Sequence, residues 1–376
     1  MSKNSSINQN FMKQQNRKTV LFELWKNSPV SRTALAEKTG LNKATITLII
    51  NSLTEDGLVL SCGSIKNGVG RSRNLLNFNE NYALCGAVLF RAKSVRVAVG
   101  NLKAKILWES EINFDPAKST PLGLLSDLAD SLQEGFETCK HYSTSILGIG
   151  VSSGSLLTPG SERIYAIHSI NWKDIPIVEY LSNRFNIPII ADTASNNAMM
   201  AEKYLGIAKN IENAIYLSVG YGIGAGLLVN NKLFHGTKGF AGDIGHMVVE
   251  PNGPLCPCGK RGCWEVVASS IAAKKSFQEL NEAAEKGDTE SLAMLTQIGR
   301  ALGKGIATLI NVLNPELVIV GGRSVAAEKW LSTVCRNAAE GMVWPIVWED
   351  TRIEFSSFGV DADLIGAITR VIELLF

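Results

Sequence analysis

GFAGDIGHMVVEPNGPLCPCGKRGCWE, residues 239–265, sets His246, Cys256, Cys258 and Cys263 in the order His-x9-Cys-x-Cys-x4-Cys. Thiolate and imidazole are ligands that zinc favours, and three thiols with one imidazole complete a tetrahedral shell. No position is left for water. The pattern therefore predicts a structural Zn2+ that holds a loop in place, not a Lewis acid. The alternative, three unrelated buried cysteines beside a surface histidine, does not account for so compact a spacing.

The remaining cysteines, Cys62, Cys85, Cys139 and Cys335, are isolated and suggest no disulfide framework. The polar, basic start MSKNSSINQNFMKQQNRK lacks the apolar core of an export signal, and no apolar run approaches the length of a membrane helix. The expectation is a soluble cytoplasmic protein with reduced thiols and no membrane partner. With 376 residues and 45% apolar composition, the chain can bury more than one core, so two or three domains are expected. Charge is uneven: residues 1–80 carry 11 Lys and Arg against 5 Asp and Glu, whereas the remainder carries 26 against 30. A basic head on a mildly acidic body points to a nucleic-acid-binding module joined to something else.

Inside the head, Val20, Leu21, Leu24 and Trp25 recur at helical spacing, and Pro29 stops that helix near Asn27. Ser31 then caps a short helix, SRTALAEKTG, closed by Gly40. LNKATITLIINSLTEDG predicts the next helix, with Asn42 as N-cap, Leu48, Ile49 and Leu53 pointing inward, and Gly57 at its end. Two short helices joined by a tight Thr-Gly-Leu turn make a helix-turn-helix, whose second helix enters the major groove of DNA. Lys43, Thr45 and Thr47 on that helix are candidate base and phosphate contacts, and Arg32 is a further candidate contact on the helix before it. Residues 58–60 and 75–78 read as strands around the loop SCGSIKNGVGRSRN, a wing whose Arg71 and Arg73 are placed to reach a minor groove or phosphate. A purely structural three-helix cap is the alternative, but caps, turn, wing and charge agree on DNA binding.

From about residue 81 the periodicity changes. ALCGAVLF, SVRVAVGNL and AKILWESEINF read as a strand meander, followed by an amphipathic helix from Pro121 and the buried strand ILGIGVSSG. The helix IPIVEYLSNRF, the strand IPIIAD and the helix NNAMMAEKYLG come next. A glycine-rich strand pair (AIYLSVGYGIGAGLLV), a long helix ending at Leu313, the strand PELVIVGG, a helix, the strand TRIEFSSF and a closing helix complete the chain. Meander then helices, twice, predicts a duplicated two-lobed α/β body with a cleft between the lobes.

The 239–265 stretch closely resembles the signature of the ROK family of sugar kinases and sugar-responsive repressors. That resemblance implies an actin-like, sugar-kinase body over 81–376, which follows the winged helix-turn-helix head over residues 1–80. Lobe one is then about 81–192 with the C-terminal helix, and lobe two about 193–360. The overall plan is similar to the family's repressors of xylose, glucose or N-acetylglucosamine operons. It implies operator DNA and a sugar or sugar-derivative effector as partners, with a homodimer or homotetramer as the assembly.

The resemblance also implies what the body has lost. Kinases of the family open with Asp-x-Gly-Gly-Thr, where small residues let backbone approach phosphate; the matching stretch here is Leu89-Phe90-Arg91-Ala92-Lys93. In their Glu-Asn-Asp-Ala-Asn motif the aspartate is the general base. Asp192-Thr193-Ala194-Ser195-Asn196 matches it, and the methyl of Ala194 accepts no proton. The glycine hairpin 220–226 and Gly321-Gly322 persist, but tight backbone geometry requires them with or without a nucleotide. On the sugar side, the family's hydroxyl contacts correspond to Asp243, His246 and Glu265, with Thr193 replacing the asparagine. Histidine can hold zinc through one ring nitrogen and meet a hydroxyl with the other. Thus the expected function is a ligand-responsive regulator, a repressor without catalytic residues. An active kinase with a DNA-binding appendage is the runner-up, disfavoured by Leu89 and Ala194, and a zinc sensor is disfavoured by the closed ligand set.

Overall fold

The computed structural model describes residues 3–65, 73–91, 93–155, 157–158, 163–167 and 172–376. The head begins with α1 (Lys3–Asn27), followed by β1 (Val30–Ser31), α2 (Arg32–Thr39) and α3 (Lys43–Glu55). β2 (Val59–Ile65) and β3 (Arg73–Phe78) pair antiparallel as the stem of the wing, with β1 on the far side of β3. Local chemistry sets these boundaries. Ser31 Oγ accepts from Ala34 N–H, Asn42 Oδ1 accepts from Thr45 N–H, and Gly40 takes the left-handed conformation at φ 70°. Ile46, Ile49, Ile50 and Leu53 form the buried stripe of α3.

One inward assignment is corrected. Leu48 is 72% exposed. The buried stripe follows i, i+3, i+4, i+7 from Ile46, which turns position 48 to the opposite face of the helix.

The body contains two five-stranded sheets. The first uses β4 (Leu84–Phe90), β5 (Ser94–Gly100), β6 (Ile106–Asn113), β7 (Ile146–Ser153) and β11 (Ile189–Thr193). Their spatial order is β11-β7-β4-β5-β6: an antiparallel meander extended by two parallel strands. α4 (Pro121–Thr138) and α5 (Ile177–Phe185) supply its helices, and a small sheet of β8 (Leu157–Thr158), β9 (Arg163–Ile167) and β10 (Trp172–Ile175) is inserted between β7 and α5. α6 (Ala194–Tyr204) leaves this half.

The second half repeats the plan with β12 (Ala214–Val219), β13 (Ile223–Val229), β14 (Lys232–Leu233), β15 (Leu317–Gly321) and β16 (Arg352–Phe355) in the order β14-β13-β12-β15-β16. The pairing senses are identical. Its helices are α7 (Trp264–Ala268), α8 (Ser270–Ala273), α9 (Phe277–Glu285), α10 (Thr289–Leu313), α11 (Glu328–Glu340), α12 (Pro345–Trp348) and α13 (Ala362–Ile372). The duplication expected from the sequence is therefore present strand for strand. By this symmetry α6 and α13 are equivalent, and they pack against each other, with α13 also lying on β4 and β7.

Head and body share one core. Val20, Leu24, Trp25, Leu35, Ile50 and Phe78 of the head belong to the same buried cluster as Cys85, Leu89, Leu102, Leu364, Ile368 and Ile372 of the body. Trp25 Nε1 donates to the Leu102 carbonyl at 2.6 Å, and the Trp25 ring lies edge-on to Tyr204 and tilted against Phe376, with centroids 5.8 and 5.5 Å away. Among the described residues, no helix is long and apolar enough to cross a membrane.

Candidate metal centre, ligand cleft and nucleic-acid interface

Between β14 and α7 the chain has little regular structure and is held by short-range bonds. Cys256 N–H donates to the Lys260 carbonyl and Gly262 N–H to the Pro254 carbonyl, both at 2.8 Å, closing a knuckle around residues 254–263. Gly262 has φ 68°, and a Cβ there would fall 1.5 Å from the Glu250 carbonyl oxygen, so only glycine permits this approach. Trp264 anchors the knuckle: it is fully buried, and its Nε1 donates to the Ala301 carbonyl of α10 at 3.0 Å.

This knuckle gathers the four sequence-predicted ligands. One ligand atom from each of His246, Cys256, Cys258 and Cys263 lies within 4.8 Å of all the others. Cys258 and Cys263 Sγ are 3.6 Å apart, as are Cys256 Sγ and His246 Nδ1. A tetrahedral ion at zinc bond lengths sets its sulfur and nitrogen ligands about 3.6 to 3.8 Å apart. The donor set and its spacing fit such an ion. A backbone N–H from Lys260 brings the Cys258 thiol down to about 7, whereas burial pushes Cys256 up to about 12 and raises Cys263.

Glu265 joins the centre to the glycine hairpin β12–β13. Its Oε1 is 3.3 Å from His246 Nδ1 and 3.5 Å from Cys256 Sγ. Its Oε2 occupies space left by two glycines, since added Cβ atoms at Gly222 and Gly245 would approach it to 3.3 and 3.2 Å. His246 and Glu265 are thus brought together. Thr193 and Asp243 are held by separate elements, Thr193 at the junction of β11 and α6 and Asp243 in the loop beside β13. Thr193 caps α6 by accepting from Asn196 N–H, whereas exposed Asp243 follows Gly242, whose carbonyl accepts from Ala225 N–H at 2.7 Å.

Sequence reasoning missed His235. Its Nε2 lies 2.9 Å from Asp192 Oδ2, and Asp192 Oδ1 accepts from Asn196 Nδ2 and Thr193 N–H. Asp192 is buried to 6% exposure, and its hydrogen bond raises the pKa of His235. Nearby, the Asn196 Oδ1 and Ser152 Oγ atoms are buried with no hydrogen-bond partner among the described residues. Buried polar atoms of this kind are normally satisfied by water or ligand hydroxyls. The signal in the sequence was a lone histidine just beyond a strand, too weak to name in advance.

The β4–β5 connection is the counterpart of the glycine hairpin β12–β13. Arg91 is half-buried and pairs with Asp363 at 3.4 Å, because α13 begins directly beneath the turn. Arg96 hydrogen-bonds Asp361 and Glu109, both at 2.7 Å, in the same network. Burial raises the pKa of Asp363, with Arg91 and Arg96 opposing it. Lys93 is exposed, and Ala92 lies outside the described residues.

In the head, Lys43 and Thr47 are exposed and Thr45 half-buried at the N-terminal end of α3; Thr47 Oγ1 donates back to the Lys43 carbonyl. Arg32 Nη2 donates to Asn51 Oδ1 at 3.2 Å, which ties α2 to α3. Exposed Leu48 and Asn51 extend the same outer face. Asparagine pairs with adenine and an apolar side chain meets the thymine methyl, so both belong with the candidate contacts. Arg71 lies outside the described residues; Arg73 opens β3, and its side chain also lies outside them.

Comparison with known proteins gives the same two-part division. A ROK family model matches residues 86–373, and a winged helix-turn-helix DNA-binding model matches residues 13–59. The xylose repressor of Bacillus spizizenii is 30% identical over 374 residues, covering 97% of each chain. A crystal structure of a ROK family transcriptional regulator, described as a homolog of the E. coli MLC protein, superimposes with a TM-score of 0.82 at 23% identity, covering 96% of this chain and 97% of that one. A ROK family glucokinase from Streptomyces griseus, solved with glucose and AMPPNP, gives 0.65 at 22% identity, covering 98% of its own chain but 76% of this one.

Proposed function

The chain belongs to the ROK family, and from that premise we propose that it is a sugar-responsive DNA-binding regulator that represses carbohydrate-utilisation genes. The observation that carries this reading is the shared core. A head whose helix α3 exposes Lys43, Thr47, Leu48 and Asn51 is packed into the body that carries the proposed effector contacts, so a change in the body is felt at the proposed DNA-binding surface. Thr193, Asp243, His246 and Glu265 are the proposed effector contacts, supported by the unsatisfied Asn196 Oδ1 and Ser152 Oγ. A structural Zn2+ on His246, Cys256, Cys258 and Cys263 would hold the knuckle that carries Glu265. Arg32, Lys43, Thr45, Thr47, Arg71 and Arg73 are the proposed DNA contacts, presented in pairs by a cytoplasmic dimer or tetramer on an inverted repeat.

The body is proposed not to catalyse phosphotransfer. Ala194 opens α6 where a general base would stand, and Arg91 fills the turn where phosphate would approach backbone. The test is direct: the purified chain is offered ATP with D-xylose, D-glucose and N-acetylglucosamine, and separately an inverted-repeat operator with each sugar. Operator binding that one sugar weakens, with no turnover above background, is expected. Ala194→Asp alone restores no turnover, because Arg91 still blocks the turn. Turnover in the wild type that mutation of the cleft abolishes would establish the kinase reading instead.

A further inference from the structure

A cavity lies between head and body, away from the proposed effector contacts. It has a volume of about 530 Å³ and is lined by Glu23, Lys26 and Asn27 of α1, Lys38 of α2, and Tyr204, Lys209 and Asn210 of the body. Three ammonium groups from three separate segments therefore face one carboxylate. Glu23 is already engaged, since its Oε2 accepts from Asn27 Nδ2 at 2.8 Å. Among the described residues, Lys26, Lys38 and Lys209 form no ion pair and donate no hydrogen bond; Lys26 lies over the Phe22 ring, 5.3 Å from its centroid.

A lysine in the last turn of a helix is ordinary, because the carbonyl end attracts a cation, and this covers Lys26 and Lys38 singly. It does not cover their convergence with Lys209. The neighbouring Lys103 and Lys203 have their own partners: Lys103 donates to the Trp25 carbonyl with Glu80 near, and Lys203 donates to the Ile211 carbonyl with Glu212 and Glu316 near. Both nonetheless have lowered pKa values, from burial first, with Lys209 and Lys26 adding to the effect. Three lysines against the single carboxylate of Glu23 leave the lining of the cavity net positive.

We propose that this cavity binds a small phosphate-bearing anion, held by Lys26, Lys38 and Lys209, that bridges head and body. Ammonium groups and side-chain amides are donors suited to phosphate oxygens. Such a ligand touches α1 and α2 of the head and the segment after α6 of the body, so it fixes the seating of one on the other. This site is independent of the sugar cleft.

The test uses the full-length protein without sugar or DNA, so a failure of the sugar reading leaves it untouched. Inorganic pyrophosphate is titrated at constant ionic strength while the melting temperature is followed. A saturable rise is expected in the wild type. In Lys209→Gln and Lys38→Gln, each surface changes that keep the starting melting temperature, the half-saturating concentration rises by about tenfold or more, as loss of one charge-assisted hydrogen bond requires. No saturable rise, or an equal rise in wild type and both variants, overturns the proposal. A third result also overturns it: no response to pyrophosphate, with Lys209→Gln lowering the salt slope of operator binding by about 0.9, would make a DNA phosphate the occupant.

Discussion

At the residue scale, most of the chemistry rests on side chains that do two jobs. Glu265 borders two of the proposed metal ligands and the glycine hairpin, and Asp192 holds both the start of α6 and His235. The metal account predicts about one zinc ion per chain. Cys258→Ser should release it and raise proteolysis within 246–263, as read by metal analysis and limited digestion; full zinc content in that variant would remove Cys258 from the ligand set. The Asp192–His235 pair predicts a pH dependence of known sign. The folded pKa of His235 is raised, so its stabilising contribution is complete below the ordinary value of 6.5 and is lost as pH rises through the higher folded value. NMR titration of His235 should show that raised midpoint, and Asp192→Asn should bring it back to 6.5 or below; an unchanged midpoint would mean that the pair does not form in solution.

At the scale of elements, α6 is the part that links the two ends of the account. It starts at Ala194, capped by the proposed effector contact Thr193, and ends at Tyr204, whose ring meets Phe22 and Trp25 of the head and whose hydroxyl donates to Glu373. A rod of 11 residues thus runs from proposed ligand to head. Tyr204→Ala should keep sugar binding but bring the ratio of operator affinities with and without sugar close to one, where a typical coupled system shows about 5 to 150-fold. A full ratio in that variant would place the coupling elsewhere. Much at this scale was legible beforehand. The caps Ser31, Gly40 and Asn42, the two meanders and the cysteine knuckle were written in local spacing and propensity. Leu48 was misplaced by reading hydrophobicity without helical phase. The Arg91–Asp363 pair and the packing of Trp25 against Phe376 depend on partners 272 and 351 residues apart, and the insertion β8–β10 on short strands, which no local pattern encodes.

At the scale of the whole molecule, the central claim is that a ligand in the cleft changes the affinity of the head for DNA. A ligand shifts that affinity only by binding the DNA-competent and incompetent arrangements unequally. The common core of head and body supplies the physical connection, and the two equivalent helices α6 and α13 pack against each other beside it. The most direct measurement is an operator titration of the wild type and of Glu265→Ala, each with zinc content verified, in the absence and presence of D-xylose or whichever sugar of a panel raises the melting temperature. The account predicts that sugar weakens operator binding by the wild type, while Glu265→Ala binds operator within a few-fold of the wild type and ignores the sugar. An undiminished sugar response in Glu265→Ala would contradict it.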